Sequence, residues 1–366
     1  GNLNFVNLSS YTVKAWTSNP NGSVDQFLYN DTLTSNVLYT ALSGTYTLGS
    51  GGNFTNFSVA ETQIKTRGIC GNTVLNVLSG IYTSSLTLNN IKGLTEVGNA
   101  NSLTIQSSTG VNTAVTIYEL NYSNSIFSFQ NIENVSIKNV TISHGGNVDA
   151  IKFNDRTKNV TIAGCVINNT GGASITFSPN ISPLSNITIS NNKHAGGGSF
   201  FTCINTAINH STKNVKILNN NLNALDGSNI TFLGIDSVEI KNNIATATNT
   251  LINTAIYLDA CLGARITGNK VLTSNNKAIH VLNSDGVVIA NNMAIGTGAA
   301  SSVEVVRLET NKNIHFVNNS ILCANTNTAS VGLNFIHTYA VTNNRVWNNI
   351  IQTNSLGSAI KFQQYT

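Results

Sequence analysis

Ile240-Lys241-Asn242-Asn243 is the phrase on which the fold turns: an apolar residue, a spacer and two asparagines. It recurs. Anchoring on the apolar residue gives Ile137, Ile162, Ile189, Ile217, Ile240, Ile266, Ile289, Phe316 and Val346, separated by 25, 27, 28, 23, 26, 23, 27 and 30 residues. Two residues after each anchor stand Asn139, Gly164, Asn191, Asn219, Asn242, Gly268, Asn291, Asn318 and Asn348, and nothing but Asn or Gly occurs there. Those two residue types enter the left-handed αL region at least cost, so each phrase predicts a strand that ends in a sharp αL corner. The next position is Asn again in seven cases (Asn192, Asn220, Asn243, Asn269, Asn292, Asn319, Asn349), with Val140 and Cys165 as the exceptions. Stacked coils set such amides above one another within hydrogen-bonding reach. The structural ladder is assigned here to Asn139, Asn191, Asn219, Asn242, Asn291, Asn318 and Asn348. A strand-rich repeat of this length is the mark of a solenoid, and the fold expected is an all-β, right-handed parallel β-helix.

Composition agrees with a packed, uncharged body. Of 366 residues 41% are apolar, ample for a core, while only 9% are charged and three are proline. The formal charge of +4 is spread without a Lys/Arg block, which argues against a nucleic-acid partner. No apolar run approaches the length of a membrane span, so no membrane insertion is expected. The five cysteines, Cys70, Cys165, Cys203, Cys261 and Cys323, share no column in adjacent coils and form no CxxC. They are expected to be buried small hydrophobes, with no disulfide, metal or other cofactor. The chain opens Gly1-Asn2-Leu3, without an initiator Met, and stops just past the strand-like Ala359-Ile360-Lys361-Phe362. The expectation is an excised part of a larger protein.

Three regions follow in order. Residues 1–43 alternate short apolar runs with the turn Asn19-Pro20-Asn21-Gly22 and are left as strands and turns of uncertain membership. Residues 44–129 hold the one convincing helix, about 58–67. There Ser58 with Glu61 gives a capping-box pattern, Val59, Ala60 and Ile64 share a face, and Gly68 is the stop. An open solenoid end exposes core and unpaired strand edges, and this amphipathic helix is the expected cover. Residues 130–366 are the regular coils, at least nine of them.

The run Gly44-Thr45-Tyr46-Thr47-Leu48-Gly49, the helix, Gly71 to Val77, Gly80-Ile81-Tyr82 and Leu103 to Ser107 resembles the opening segment of secreted bacterial right-handed β-helix proteins of the pectin-lyase-like superfamily. In those a GTYTIG-like phrase, a capping helix, a GxVxFNV-like strand, a GxY phrase and a TITFQS-like strand follow in that order. With the repeats, the resemblance covers most of the chain. It implies the fold and an extracellular or cell-surface location, but no one activity, because the fold hosts lyases, hydrolases, phage spikes and adhesins.

A second phrase, apolar–outward–apolar, lies between successive anchors: Ile151-Lys152-Phe153, Ile175-Thr176-Phe177, Ile230-Thr231-Phe232, Ile256-Tyr257-Leu258, Ile279-His280-Val281, Val306-Arg307-Leu308, Leu333-Asn334-Phe335 and Ile360-Lys361-Phe362. The coil near Phe200 to Ile204 fits less cleanly. Period-two alternation buries the flanking residues and puts the middle ones in one surface column. There Tyr257, His280 and Arg307 follow in successive coils, with Asp259 and Glu309 two residues after Tyr257 and Arg307. A carboxylate pair suits glycoside hydrolysis, and Arg with His or Tyr suits proton abstraction beside a uronate. Ordinary cross-strand charge pairs account for the same residues. No polygalacturonase-like Asp-Asp with Gly-His-Gly and Arg-x-Lys occurs, nor an Asp-rich calcium site of pectate-lyase type, and Ser143-His144-Gly145-Gly146 reads as a turn histidine. No catalytic residue is therefore assigned; Tyr257, Asp259, His280, Arg307 and Glu309 stand as candidates. The expectation is a non-catalytic structural or adhesive segment of a bacterial surface protein, with surface glycans or neighbouring copies stacked end to end as partners. The alternatives are a polysaccharide lyase or glycoside hydrolase, and a glycan-binding spike of phage-tail type. The N-x-S/T sequences at Asn134, Asn139, Asn159, Asn186 and Asn229 are read as ladder rather than glycan acceptors.

Overall fold

The computed structural model describes residues 4–18, 22–24, 32–95, 98–119, 123–178, 184–205, 212–225, 227–247, 254–274, 276–298, 302–337, 343–354 and 357–364. The body is a right-handed parallel β-helix of about 11 turns. The coils present three faces, of which the anchor and column faces belong to one 22-stranded sheet. One, the anchor face, is built from strands such as Asp236–Lys241 and Arg265–Thr267. The second, the column face, is built from strands such as Thr254–Asp259, Lys277–Leu282 and Glu304–Glu309. The third, the back face, stacks 11 strands from Gly80–Tyr82 to Ile350–Thr353. The coil-to-coil pairings in the body are parallel and set anchor on anchor (Ile240↔Ile266, Ile266↔Ile289, Ile289↔Phe316), with a register shift between Gln130 and Ile132 in an early coil. At ~4.8 Å per turn the rod is roughly 50 Å long.

The corners obey the Asn/Gly rule. Asn139, Asn191, Asn219, Asn242, Asn291, Asn318 and Asn348 have φ between 53° and 57°, and Gly164 and Gly268 have φ 67°. The hydrogen-bonded ladder, however, does not run through these residues. It runs through the next column, where Asn192, Asn220, Asn243, Asn269, Asn292 and Asn319 are buried and Asn349 closes the row. In one rung Asn243 Nδ2 donates to Asn269 Oδ1 at 3.0 Å and to Ile217 O at 2.8 Å. Asn269 Oδ1 also accepts from Asn243 N at 2.9 Å. The αL turn causes this division: it leaves the corner side chain at the surface and swings the following one under the bend. A buried amide must then find partners, and its copies one coil away supply them.

A second amide row lies three residues before the anchors, at the bend leading into the anchor face. Asn159 Nδ2 donates to Asn134 Oδ1 (2.7 Å), Asn186 to Asn159 (2.9 Å) and Asn214 to Asn186 (2.7 Å). These four also have positive φ. The sequons at Asn134, Asn159 and Asn186 are thus rungs of an exposed ladder.

The helix spans Phe57–Arg67, and its cap differs from the Ser58/Glu61 expectation. Asn56 is the N-cap, its Oδ1 accepting from Val59 N at 2.9 Å, because the chain is already helical at Phe57. Glu61 instead pairs with Lys65 and accepts from Thr87 N. The buried face is Phe57, Ala60 and Ile64, while Val59 is 37% exposed. Phe57 packs edge-on against Tyr82 and Phe127, so the helix plugs the first coils, and Gly68 (φ 71°) ends it. Inside the rod the column face stacks Phe129, Phe153 and Phe177 at 4.9 and 4.6 Å.

Ahead of the helix, Ser10–Tyr11 pairs antiparallel with Leu38–Tyr39, and Lys14–Trp16 with Thr32–Thr34. Arg67 ties this segment down: Nη1 donates to Ser9 O, Nη2 to Leu8 O, and the guanidinium lies 5.2 Å from the Tyr39 ring centre. The Asn19-Pro20-Asn21 turn lies outside the described residues. All five cysteines are free and four are buried. Cys70 departs from expectation and is exposed, because it takes an outward position in Ile69–Val77. His144 ends the strand Thr141–His144 just before the Gly-rich turn and is fully buried, with Nδ1 accepting from Gly146 N and Nε2 bonded to Asn124 O.

Candidate functional site

The outward column is a single file: Lys152↔Thr176↔Thr202↔Thr231↔Tyr257↔His280↔Arg307↔Asn334↔Lys361. Thr202 completes the coil whose phrase was irregular. The column is less exposed than alternation predicts: Asn334 is fully buried, and the His280 side chain keeps 13% exposure.

Three residues join the five candidates: Lys277, Glu304 and Asn334. Lys277 and Glu304 stand three positions before His280 and Arg307, a spacing that in a flat strand points the other way. Here Ala278-Ile279 and Val305-Val306 are both buried at the bend into the strand, so the residue ahead of each pair turns outward again. Those apolar doublets are the signal in the sequence.

The charged groups of the network bond mainly to one another, while Asn334 Oδ1 is buried without a partner. Arg307 Nε donates to Glu309 Oε2 at 2.9 Å and Nη1 to Glu304 Oε2 at 3.1 Å. His280 Nε2 lies 3.3 Å from Glu309 Oε2, and Asn334 Nδ2 donates to Glu304 Oε1 at 2.7 Å and to Gln363 Oε1 at 2.8 Å. Tyr257 Oη donates to Asp259 Oδ2 at 3.0 Å, and Asn283 Nδ2 reaches Asp259 Oδ1 at 3.3 Å. Each carboxylate therefore holds two protein donors. Asp259 and Glu309 are two coils apart with Leu282 between them, roughly 10 Å along the stack.

Protonation follows from burial and charge. Burial, reinforced by Lys277 and Arg307, drives His280 down to about 3 against the pull of Glu304, so its contact with Glu309 is a neutral N–H donation rather than an ion pair. Burial, with Asp259 and Glu309 beside it, pushes Tyr257 well above its ordinary value. Burial lowers Lys277, with Glu304 opposing. Burial also acts to lower Arg307, but Glu304 and Glu309 outweigh it and hold its pKa above the usual arginine value. Right after the carboxylates the chain turns at Ala260 (φ 48°) and Thr310 (φ 51°), αL positions at which neither residue is at ease. Among the described residues no group of three or more His, Cys, Asp or Glu is placed to hold a metal ion, and no helix is long and apolar enough to cross a membrane.

Fold and site together define a parallel β-helix bearing a half-buried ion-pair network on one face. Its shape is similar to PfbA, a surface adhesin of Streptococcus pneumoniae (16% identity, TM-score 0.54, covering 83% of this chain and 89% of that one). It is also similar to the A-module of mannuronan C-5 epimerase AlgE6 from Azotobacter vinelandii (13% identity, TM-score 0.50, 81% and 91%). A third likeness is to the lacto-N-biosidase of Eubacterium ramulus (10% identity, TM-score 0.50, 87% and 68%). At these identities the likeness is one of fold. No protein-family model matches the chain, and no curated sequence is significantly similar to it.

Proposed function

We propose that this chain is a non-catalytic β-helix segment of a bacterial surface or secreted protein, serving as a rigid structural or adhesive rod. One observation carries the reading: the two side chains best suited to move a proton are both tuned away from neutral pH. General acid–base catalysis works best with a pKa near the working pH. His280 at about 3 is neutral at neutral pH, keeps its Nε2 proton on Glu309 and accepts another poorly, while Tyr257, raised and bonded to Asp259, does not release its own. The double occupation of Asp259, Glu304 and Glu309 supports the same reading: Coulomb pairing and hydrogen bonds between coils are the work these groups perform. The similarity to an adhesin is compatible with a binding rod, but the fold alone carries no function.

The test is a panel of uronate-containing and neutral polysaccharides assayed for chain cleavage, unsaturated products and epimerisation. No turnover is expected at neutral pH. Turnover that disappears in both Arg307→Ala and Asp259→Ala would overturn the proposal.

The second reading is a polysaccharide lyase or glycoside hydrolase on the column face. It is favoured by Ala260 and Thr310, since strained backbone beside half-buried charges is a feature of working sites. The same panel decides between them.

A further inference from the structure

Over five coils the back face carries large apolar side chains on its outer side. In two of them the inward residues are small (Ala245 and Ala247, Ala294 and Gly296), and a Cβ on Gly296 would come within 2.6 Å of both Val303 and Val305; in the others Val271, Ile321 and Ile351 point inward. Its outward residues are large and apolar: Ile244, Leu272, Met293, Ile295, Leu322 and Ile350. Ile244, Met293 and Ile350 are 48%, 47% and 69% exposed. Two coils earlier the outward positions are Lys193 and Ala195, then Asn221 and Asn223, so the strip begins sharply at Ile244. Five coils at ~4.8 Å make it roughly 20 Å long, straight and parallel to the rod.

The register lays it out as two files. One reads Ile244, Lys270, Met293, Ser320, Ile350 and the other Thr246, Leu272, Ile295, Leu322, Gln352. Both keep the same apolar and polar order in either direction about the Met293–Gly296 strand. A two-fold axis lying in the interface along that strand would set Ile244 against Ile350, Leu272 against Leu322, and Met293 and Ile295 each against its own copy. The one charge, Lys270, would meet Ser320 rather than another lysine. A parallel arrangement would oppose the two files, apolar to polar, in four of the five coils. We propose that this strip is an isologous interface, on which a second copy of the chain packs side by side with its rod antiparallel. The apolar strip supplies the centre, and the polar residues flanking it the rim, of the ~800 Å² per partner that a stable dimer uses.

Sedimentation equilibrium of the full chain across the micromolar range tests this. A dimer is expected, and Ile244→Asp with Ile350→Asp, four coils apart and 48% and 69% exposed, should give a monomer with unchanged circular dichroism. Cross-linking tests the geometry in a Cys70→Ser background, which removes the exposed thiol. Met293→Cys should form an interchain disulfide with itself, whereas Lys270→Cys and Ser320→Cys should cross-link only when mixed. A monomer at all concentrations, a dimer indifferent to the two aspartates, or self-linking by Lys270→Cys would each overturn the proposal.

Discussion

Asn242 and Asn243 are neighbours with the same side chain and different tasks. Asn242 makes the corner (φ 56°) and is exposed; Asn243 is buried and bonded above and below. Substitutions should separate the two. Asn242→Val forces a β-branched residue into αL and is expected to cost about 1–2 kcal/mol. Asn269→Ala removes an oxygen that accepts both Asn243 N and Nδ2, leaving buried donors unpaired at about 1–3 kcal/mol. Denaturant midpoints of the two variants measure this, and a neutral Asn269→Ala would show that the row is not structural. Thr310 supplies the converse case: Thr310→Asn should stabilise by roughly 1 kcal/mol and raise the midpoint, because Asn tolerates φ 51° where Thr does not. His280 sets a pH dependence. Its folded pKa of about 3 lies below the 6.5 of the unfolded chain, so between these values the unfolded state binds the extra proton. Its stabilising share is complete above about pH 6.5 and is lost as the pH falls toward 3, on the order of 1 kcal/mol per pH unit. Buried His194, also lowered, acts in the same direction. In His280→Asn the slope of melting temperature against pH between 6.5 and 4 should flatten; an unchanged slope would show that His280 does not carry it.

At the scale of elements, the helix shows how a short-range pattern can mislead. Ser58 with Glu61 matched a capping box, yet Asn56 caps the helix and Glu61 reaches forward to Lys65 and across to Thr87. Two acceptors stood within three residues, and the choice between them fell to Phe57, whose ring must enter the core between Tyr82 and Phe127. Asn56→Ala should therefore destabilise by about 1 kcal/mol, against a few tenths for Ser58→Ala, read from paired thermal melts. The polar network has a similar origin. Tyr257, His280, Arg307, Asp259 and Glu309 were legible as a column because alternation marks outward positions. Lys277 and Glu304 were not, because strict alternation points them away, and the bend at Ala278-Ile279 and Val305-Val306 is a tertiary feature.

For the whole molecule, the segment ahead of Leu42 is tied to the rod through Arg67, which holds Leu8 O, Ser9 O and the Tyr39 ring, and through Leu8, which packs against the core. Arg67→Ala should make that segment sensitive to limited proteolysis while the β-helix stays intact. Equal protection in the variant would mean that the antiparallel pairs hold it without the arginine. The repeat by itself determined the parallel β-helix, its register and its αL corners. Those rest on local backbone preference and on a period that recurs in every coil, so each coil states the same information again. The tertiary structure alone decided which of two adjacent asparagines forms the buried row. It also decided which charges close around Arg307, and that the back face carries large apolar side chains on its outer side from Ile244 onward. The physical reason is that these depend on where a bend turns a side chain and on what already fills the interior. At Gly296 the contact with Val303 and Val305 leaves no room for a side chain inside the back sheet, and that crowding is a property of neighbouring coils rather than of any one stretch.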